Sequence, residues 1–452
     1  MSQLALERAW GRSTLIAMVH AANTASLAFE GTIAQNREAP MLTNAEIAAI
    51  ARRHLYQNYR PLPVVFSRGK GCELYDVEGK RWLDLCAGVA VCSIGHSHPA
   101  LTRVLAEQAG TLMHVSNYFL NEPNVLAAAE LCRRTGMDRA MFTNSGAEAN
   151  EAMLKLARRY FYGLGQKSRV RVIAFENAFH GRTLGALSMT GTAKYREGFG
   201  EMPGVTHVPY GDLDAVKRAM GEDVAAINVE PLQGEGGVMP APPGFLRGLR
   251  EVCDRVGALL MVDEVQTGVG RTGHFLAIEA SGVGAHGELA VTPDAIALAK
   301  GLGGGFPVGV MLTREKFALA LPPGTHGTTF GGNALASAAV LATLKVLDDE
   351  KLVSGAREKG QKLGAMLATL AGDFPDVCEL ARGAGLLWGL VLREGFVARD
   401  VLPIVLEHGV LLTAAGDRIL RFSPPLVVSV AQLEEGVGAV RKVVERLSAS
   451  RS

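Results

Sequence analysis

Two polar residues end apolar runs in a way that could support covalent chemistry. The run Ala258 to Val262 (ALLMV) stops at Asp263, and Glu264, Val265 and Gln266 follow. The run Asp294 to Ala299 (DAIALA) stops at Lys300, with Gly301, Gly303, Gly304 and Gly305 behind it. Ligands of open parallel sheets gather outside the carboxyl ends of the strands, where both residues would fall. Taken alone, Asp263 reads equally well as a turn or cap residue, and Lys300 as a surface lysine. Together, 37 positions apart, they make a different pair. One is an amine that can form an imine, with glycines leaving room beside it. The other is a carboxylate that can hold a pyridinium nitrogen protonated.

A third feature suits an anion. Arg139 to Thr143 (RAMFT) reads as a strand, and Asn144-Ser145-Gly146-Ala147-Glu148 leads from it into a helix. Ser145 with Glu148 three places on matches a capping box. The bare N–H groups of such a helix start offer a seat for phosphate. Phe179-His180-Gly181-Arg182-Thr183 supplies an aromatic that could stack on a ring and an arginine that could clamp a carboxylate. Arg421 is a second candidate clamp. Rival motifs are weaker. Gly268-Val-Gly270-Arg-Thr-Gly273 matches the dinucleotide fingerprint in form, but it follows a polar pentapeptide rather than a strand and lacks a framing βαβ unit. This argues against a nicotinamide dehydrogenase. His96 and His98 form a lone H-x-H without further metal ligands at matching spacing, so no metal is expected.

The elements that must position these residues alternate. Val170 to Phe175, Ala225 to Val229, Ala258 to Val262 and Asp294 to Ala299 read as further strands. Ala147 to Tyr160, Pro243 to Val256 and Ala334 to Leu347 read as helices among them, an order that argues for a mainly parallel α/β sheet. Earlier, Ile47 to Tyr56 has helical spacing and Cys72 to Leu85 reads as a hairpin around Glu78-Gly79. After Leu347 a helical Lys351 to Leu370 precedes a smaller α+β unit with Gly385 to Leu392, Val401 to His408 and Arg418 to Phe422.

Bulk composition narrows the partners. There are 46 basic and 45 acidic residues, a net charge of +1, so no overall field favours nucleic acid or an anionic membrane. No run reaches the roughly 18 apolar residues needed to span a bilayer. None of the six cysteines forms a C-x-x-C pair, and they read as reduced thiols of a cytoplasmic protein. Residues 1–40 read as a disordered extension or a mis-set start, since Met41 stands just ahead of the ordered pattern.

These segments place the chain beside a known family. From about Tyr59 to Val443 it resembles the class III aminotransferases of the ornithine/4-aminobutyrate type. The matching segments are LYDVEGKRWLDLCAGVAVCSIGHSHP, NSGAEANE, FHGRT, EPLQGEGG, VDEVQTGVGRTG, AKGLGGGFPVG, HGTTFGGN and RFSPPL. HVSNYFLNEPN (His114 to Asn124) is most similar to the acetylornithine aminotransferases. The resemblance implies an α/β protein of fold type I, a homodimer with active sites at its interface. Its large domain (96–347) would hold a mainly parallel seven-stranded sheet. A smaller C-terminal α+β domain (348–452) would follow, with residues 41–95 packing against it. It implies pyridoxal 5'-phosphate carried on Lys300, with Asp263 at the ring nitrogen, Phe179 against the ring and Gln266 near the phenolic oxygen. Ser145, Gly146 and Ala147 would seat the phosphate, with Thr329 from the neighbouring subunit. Glu264 and Val265 complete the expected cofactor set. Arg182, with Thr328 close by, would hold the substrate carboxylate, and Glu235 with Arg421 would act as a switch pair that opens for 2-oxoglutarate. The amine donor implied is N2-acetyl-L-ornithine, with ornithine, succinylornithine, succinyl-diaminopimelate and 4-aminobutyrate as alternatives. The chain departs from the pattern at Thr328 (usually serine), Phe330 (usually tyrosine) and Tyr118-Phe119-Leu120, all near the donor side.

Overall fold

Strand-forming and helix-forming segments alternate along a computed structural model that describes residues 42–200, 204–282 and 290–450. The expected extension at 1–40 lies outside the described residues. The first compact unit ends at Val65. Its described part holds the helix Asn44–His54, started by a full capping box between Thr43 and Glu46, and Val65 N–H donates to Asn44 Oδ1 at 2.7 Å.

The second unit, from Phe66 onward, is built on seven strands. They are β1 (Arg139–Thr143), β2 (Arg171–Phe175), β3 (Val205–Val208), β4 (Val224–Val229), β5 (Leu259–Asp263), β6 (Ala295–Leu298) and β7 (Gly309–Thr313). Their order across the sheet is β1-β7-β6-β5-β4-β2-β3. Every pairing is parallel except those of β7, which runs antiparallel to β1 and β6. β4, β5, β6 and β7 are buried along their whole length, as expected for strands covered on both faces.

Register then decides where the chemistry can occur. Asp263 pairs with Ala297 across β5 and β6, so Asp263 and Lys300 leave neighbouring strands at the same carboxyl edge. Helix α1 (Gly146–Gly163) starts from that edge after β1 and packs Ala149, Met153 and Leu156 onto the sheet. β7 passes close beneath its start. A Cβ on Gly309 would sit 2.3 Å from the Ser145 carbonyl oxygen, so only glycine lets the strand approach.

Two four-stranded sheets and a two-stranded one accompany this core among the described residues. Phe66–Lys70, Glu73–Asp76 and Arg81–Asp84 form an antiparallel run whose last strand pairs in parallel with Val410–Leu411. This pairing sets Leu83 and Asp84 beside Val410 and Leu411. Cys378–Ala384, Leu387–Leu392, Ile419–Phe422 and Thr413–Ala415 form an antiparallel four-stranded sheet. Leu363 of the helix Leu352–Asp373 and Leu433 of Val430–Ala449 share one continuous apolar core with Ile296 of the central sheet.

Candidate active site

The carboxyl edge of the sheet opens into a cavity of about 460 Å³, within the range of cofactor and substrate pockets. Ser145, Gly146, Ala147, Phe179 and Arg182 line it, together with Glu235, Asp263, Val265, Gln266 and Lys300. Ten of the residues expected from sequence therefore meet in one place.

Asp263 ends β5 and is buried. Its Oδ2 accepts from Asn150 Nδ2 at 2.8 Å and is bonded to His180 Nδ1 at 2.7 Å, while Oδ1 accepts from Val265 N–H at 2.9 Å. A buried carboxylate is tolerable only with such partners. Burial disfavours a charged His180, but the bond and the charge of Asp263 outweigh it, so the His180 pKa is raised.

Lys300 sits where β6 breaks into a single 3₁₀ turn, with φ at +44° in the left-handed region. Such backbone is rare for a residue with a side chain and is found where surrounding structure enforces it. Its amine makes no hydrogen bond or ion pair among the described residues. Burial is the largest influence on that amine and lowers its pKa, against an opposing pull from the Glu235 carboxylate. A neutral lysine is the nucleophilic form.

Ser145 caps α1, its side chain accepting from Glu148 N–H at 3.2 Å. Only half of the expected box forms. Glu148 Oε2 turns instead to the N–H of Asn144. The N–H groups of Ser145, Gly146 and Ala147 consequently have no protein partner among the described residues. They face the cavity with the positive end of the helix dipole behind them.

Glu235 and Arg421 form a close ion pair, and Arg421 also donates to Gln266 Oε1 at 3.3 Å and to Thr413 Oγ1 at 3.0 Å. Burial alone would raise the Glu235 pKa, yet the Arg421 charge prevails and the net shift is downward. Arg182 is exposed at the cavity mouth.

Three expected residues lie elsewhere. Glu264 does not reach the cavity: alternation along the chain turns it to the far side of β5. There it accepts from Ile278 N–H at 2.8 Å and bonds Thr267 Oγ1, so it is a structural tie rather than a cofactor contact. Thr328 lies outside the cavity and accepts from Asn144 Nδ2 at 2.8 Å. Thr329 is exposed and lines no part of the cavity of its own chain. The rival motifs are also accounted for. Arg271 in the glycine run is buried and donates to the Leu386 and Pro424 carbonyls. His96 bonds Asp84 and His98 bonds Glu350.

The sequence reading missed Glu230, which lines the cavity from the end of β4 and accepts Phe179 N–H at 3.2 Å. Burial pushes its pKa up to about 8. The strand-end rule that singled out Asp263 applies equally to Glu230. Asn150, one turn into α1, carried no such signal.

Comparison with known proteins agrees with this geometry. The aminotransferase class-III family model matches residues 55–444. An acetylornithine aminotransferase of Myxococcus xanthus is 47% identical over 85% of this chain and 94% of its own length. A succinylornithine transaminase/acetylornithine aminotransferase of Pseudomonas aeruginosa is 42% identical over 87% of this chain and 96% of its own. The crystal structure of ornithine aminotransferase from Toxoplasma gondii superposes with a TM-score of 0.86 at 34% identity, covering 94% of this chain and 98% of that one. The cavity fits the cofactor of this family, pyridoxal 5'-phosphate. An unpaired amine is present that could bind an aldehyde, a buried carboxylate that could face a pyridine nitrogen, and bare helix N–H groups that could take a phosphate. With family, fold and site in agreement, this chain belongs to the class-III aminotransferases, enzymes that work through pyridoxal phosphate.

Proposed function

We propose that the chain moves the terminal amino group of N2-acetyl-L-ornithine to 2-oxoglutarate, giving N-acetylglutamate 5-semialdehyde and glutamate. This is a step of arginine biosynthesis, here placed in the cytoplasm. The observation that carries the reading is the 47% identity to an acetylornithine aminotransferase over nearly the whole of that relative. We further assign residues 96–347 to the cofactor-bearing lobe and 348–452 to the smaller lobe of a homodimer.

When bound, pyridoxal phosphate supplies an electron sink that stabilises negative charge on the donor carbon. Everything else falls to the chain. Ser145, Gly146 and Ala147 hold the phosphate through backbone N–H groups, and Thr329 of the partner subunit adds a hydroxyl. Phe179 and Val265 would pack against its ring, and Gln266 would bond its phenolic oxygen. Asp263, backed by His180 and Asn150, holds a proton on the ring nitrogen. Lys300 Nζ would anchor the cofactor, take the proton from the amine-bearing carbon of the donor and deliver it, as an acid, to the cofactor carbon that takes over the amine. Arg182 grips the donor carboxylate, with Thr328 nearby. Arg421 stays occupied by Glu235 until the second carboxylate of 2-oxoglutarate competes for it.

The test is a panel of acetylornithine, ornithine, succinylornithine, succinyl-diaminopimelate and 4-aminobutyrate, each with 2-oxoglutarate, followed by cofactor absorbance and glutamate release. Acetylornithine should give the highest kcat/KM, and a tenfold preference for any other donor would sink the assignment. Lys300→Ala should lose at least about 10²–10⁴ in turnover, the usual worth of positioned proton transfer. A variant that kept wild-type turnover would remove Lys300 from the mechanism.

A further inference from the structure

Arg182 has unusual company for an arginine at a cavity mouth. It makes no ion pair and no hydrogen bond among the described residues. Its guanidinium carbon instead lies 3.9 Å from the ring centre of Tyr195 and 5.6 Å from that of Phe179. The two rings meet edge to face, 6.1 Å apart at 87°. Stacking uses the flat face of a guanidinium and leaves its five N–H donors free around the rim. A carboxylate can then be gripped by the rim without disturbing the stack.

The platform under Arg182 is itself fastened. Tyr195 closes the 3₁₀ turn Ala193–Tyr195, with its N–H donating to the Thr192 carbonyl at 3.0 Å. The next residue, Arg196, donates to the Thr190 carbonyl and lies 3.0 Å from His207 Nε2 on the edge strand β3. Thr190 Oγ1 in turn accepts His180 N–H at 3.0 Å. The segment that carries Tyr195 is thus tied at one end to the sheet edge and at the other to the turn that carries both Phe179 and Arg182.

We propose that Tyr195 is a positioning residue for carboxylate recognition, holding Arg182 in place before the donor arrives. The inference rests on the reading of Arg182 as the donor-carboxylate clamp. A long, exposed arginine without such support would lose rotamer freedom on binding, and the stack removes that cost beforehand. Tyr195 does not line the cavity, so its effect belongs in substrate binding rather than turnover.

A double-mutant cycle in the cofactor-loaded enzyme separates the possibilities. Tyr195→Leu should raise KM for acetylornithine about 5- to 10-fold, the scale of a partly exposed cation–π contact, and leave kcat within about twofold. Tyr195→Phe keeps the ring and should restore the wild-type KM, which rules out general damage to the turn. In an Arg182→Ala background, Tyr195→Leu should change kcat/KM by less than about twofold. An unchanged KM in Tyr195→Leu, or the same fold-loss in both backgrounds, overturns the inference while leaving Arg182 as the clamp. If Arg182→Ala itself leaves KM untouched, the clamp reading fails first and the role of Tyr195 falls with it.

Discussion

Glu264 stands next to Asp263 in the chain, yet the two carboxyl groups live under opposite rules. Asp263 is bonded to the His180 ring, whereas Glu264 is fully buried with a hydroxyl and backbone N–H groups but no cationic side chain bonded to it. Burial therefore dominates, and its pKa rises from 4.5 to about 7. A carboxyl that holds its proton more tightly when folded stabilises the fold below the unfolded pKa. That stability is lost as pH climbs through the folded value. Over a shift of that size the loss above pH 7 comes to about 3 kcal/mol. Glu230, raised to about 8, adds a loss of the same sign slightly higher in pH. Glu264→Gln keeps an acceptor for Ile278 N–H and a donor for Thr267 but cannot ionise. Urea unfolding at pH 5, 6.5 and 8 should find the variant gaining on wild type as pH rises, and parallel curves would refute the burial argument. At this scale the site was legible wherever a polar residue ended an apolar run, as at Asp263 and Lys300. It was illegible where the signal was purely spatial. Tyr195 lies 13 positions after Arg182, in no motif, and only folding brings its ring under the guanidinium. Glu264 misled because adjacency to Asp263 in the chain places it on the opposite face of the strand.

The start of α1 shows how tightly one element constrains its neighbour. A Cβ at Gly146 would lie 2.6 Å from Val265 Cγ1, and Val265 is held in turn by its N–H bond to Asp263. Gly146→Ala should therefore push the helix start away from the phosphate position, weakening pyridoxal phosphate binding about tenfold or more. The fold itself should lose roughly 1–3 kcal/mol, as for other overpacked contacts. Because the clash is with one side chain, adding Val265→Ala should recover most of the cofactor affinity. Titration of cofactor absorbance against the two variants checks this, and a double variant no better than Gly146→Ala would show that the N–H geometry suffers from something else. Elements with buried, β-branched runs were readable: five of the seven central strands follow from their apolar stretches. β3 and β7 did not. β3 is a four-residue edge strand with a histidine in it. β7 returns antiparallel to β6 after a glycine-rich stretch over 299–308 that holds one 3₁₀ turn, without the α-helical crossover whose period marks a βαβ unit.

Large exposed apolar side chains gather on one face of the second unit. Tyr118, Phe119 and Leu120 are 91%, 70% and 89% exposed, and Phe330 is 59% exposed. They are neighbours, because Asn117 Nδ2 donates to the carbonyls of both Thr328 and Gly331 at 3.0 Å and staples the two loops together. Asn144 Nδ2, bonded to Thr328 Oγ1, joins the same loops to the start of α1. Contiguous apolar surface of this kind marks an interaction face, and in a homodimer a two-fold axis would set each face against its copy. The exposed position of Thr329 between these residues fits a hydroxyl offered to the other subunit's phosphate seat. If so, assembly and activity rise and fall together. Leu120→Arg, which puts a charge at a highly exposed position of this face, should shift sedimentation from dimer to monomer. Turnover should fall by the same fraction, while each isolated chain keeps its fold by circular dichroism. Raising the concentration of the variant should restore both signals in parallel. A wild-type chain that sediments as a monomer at full activity would exclude the interfacial site, and Thr329 would then have no part in holding the cofactor.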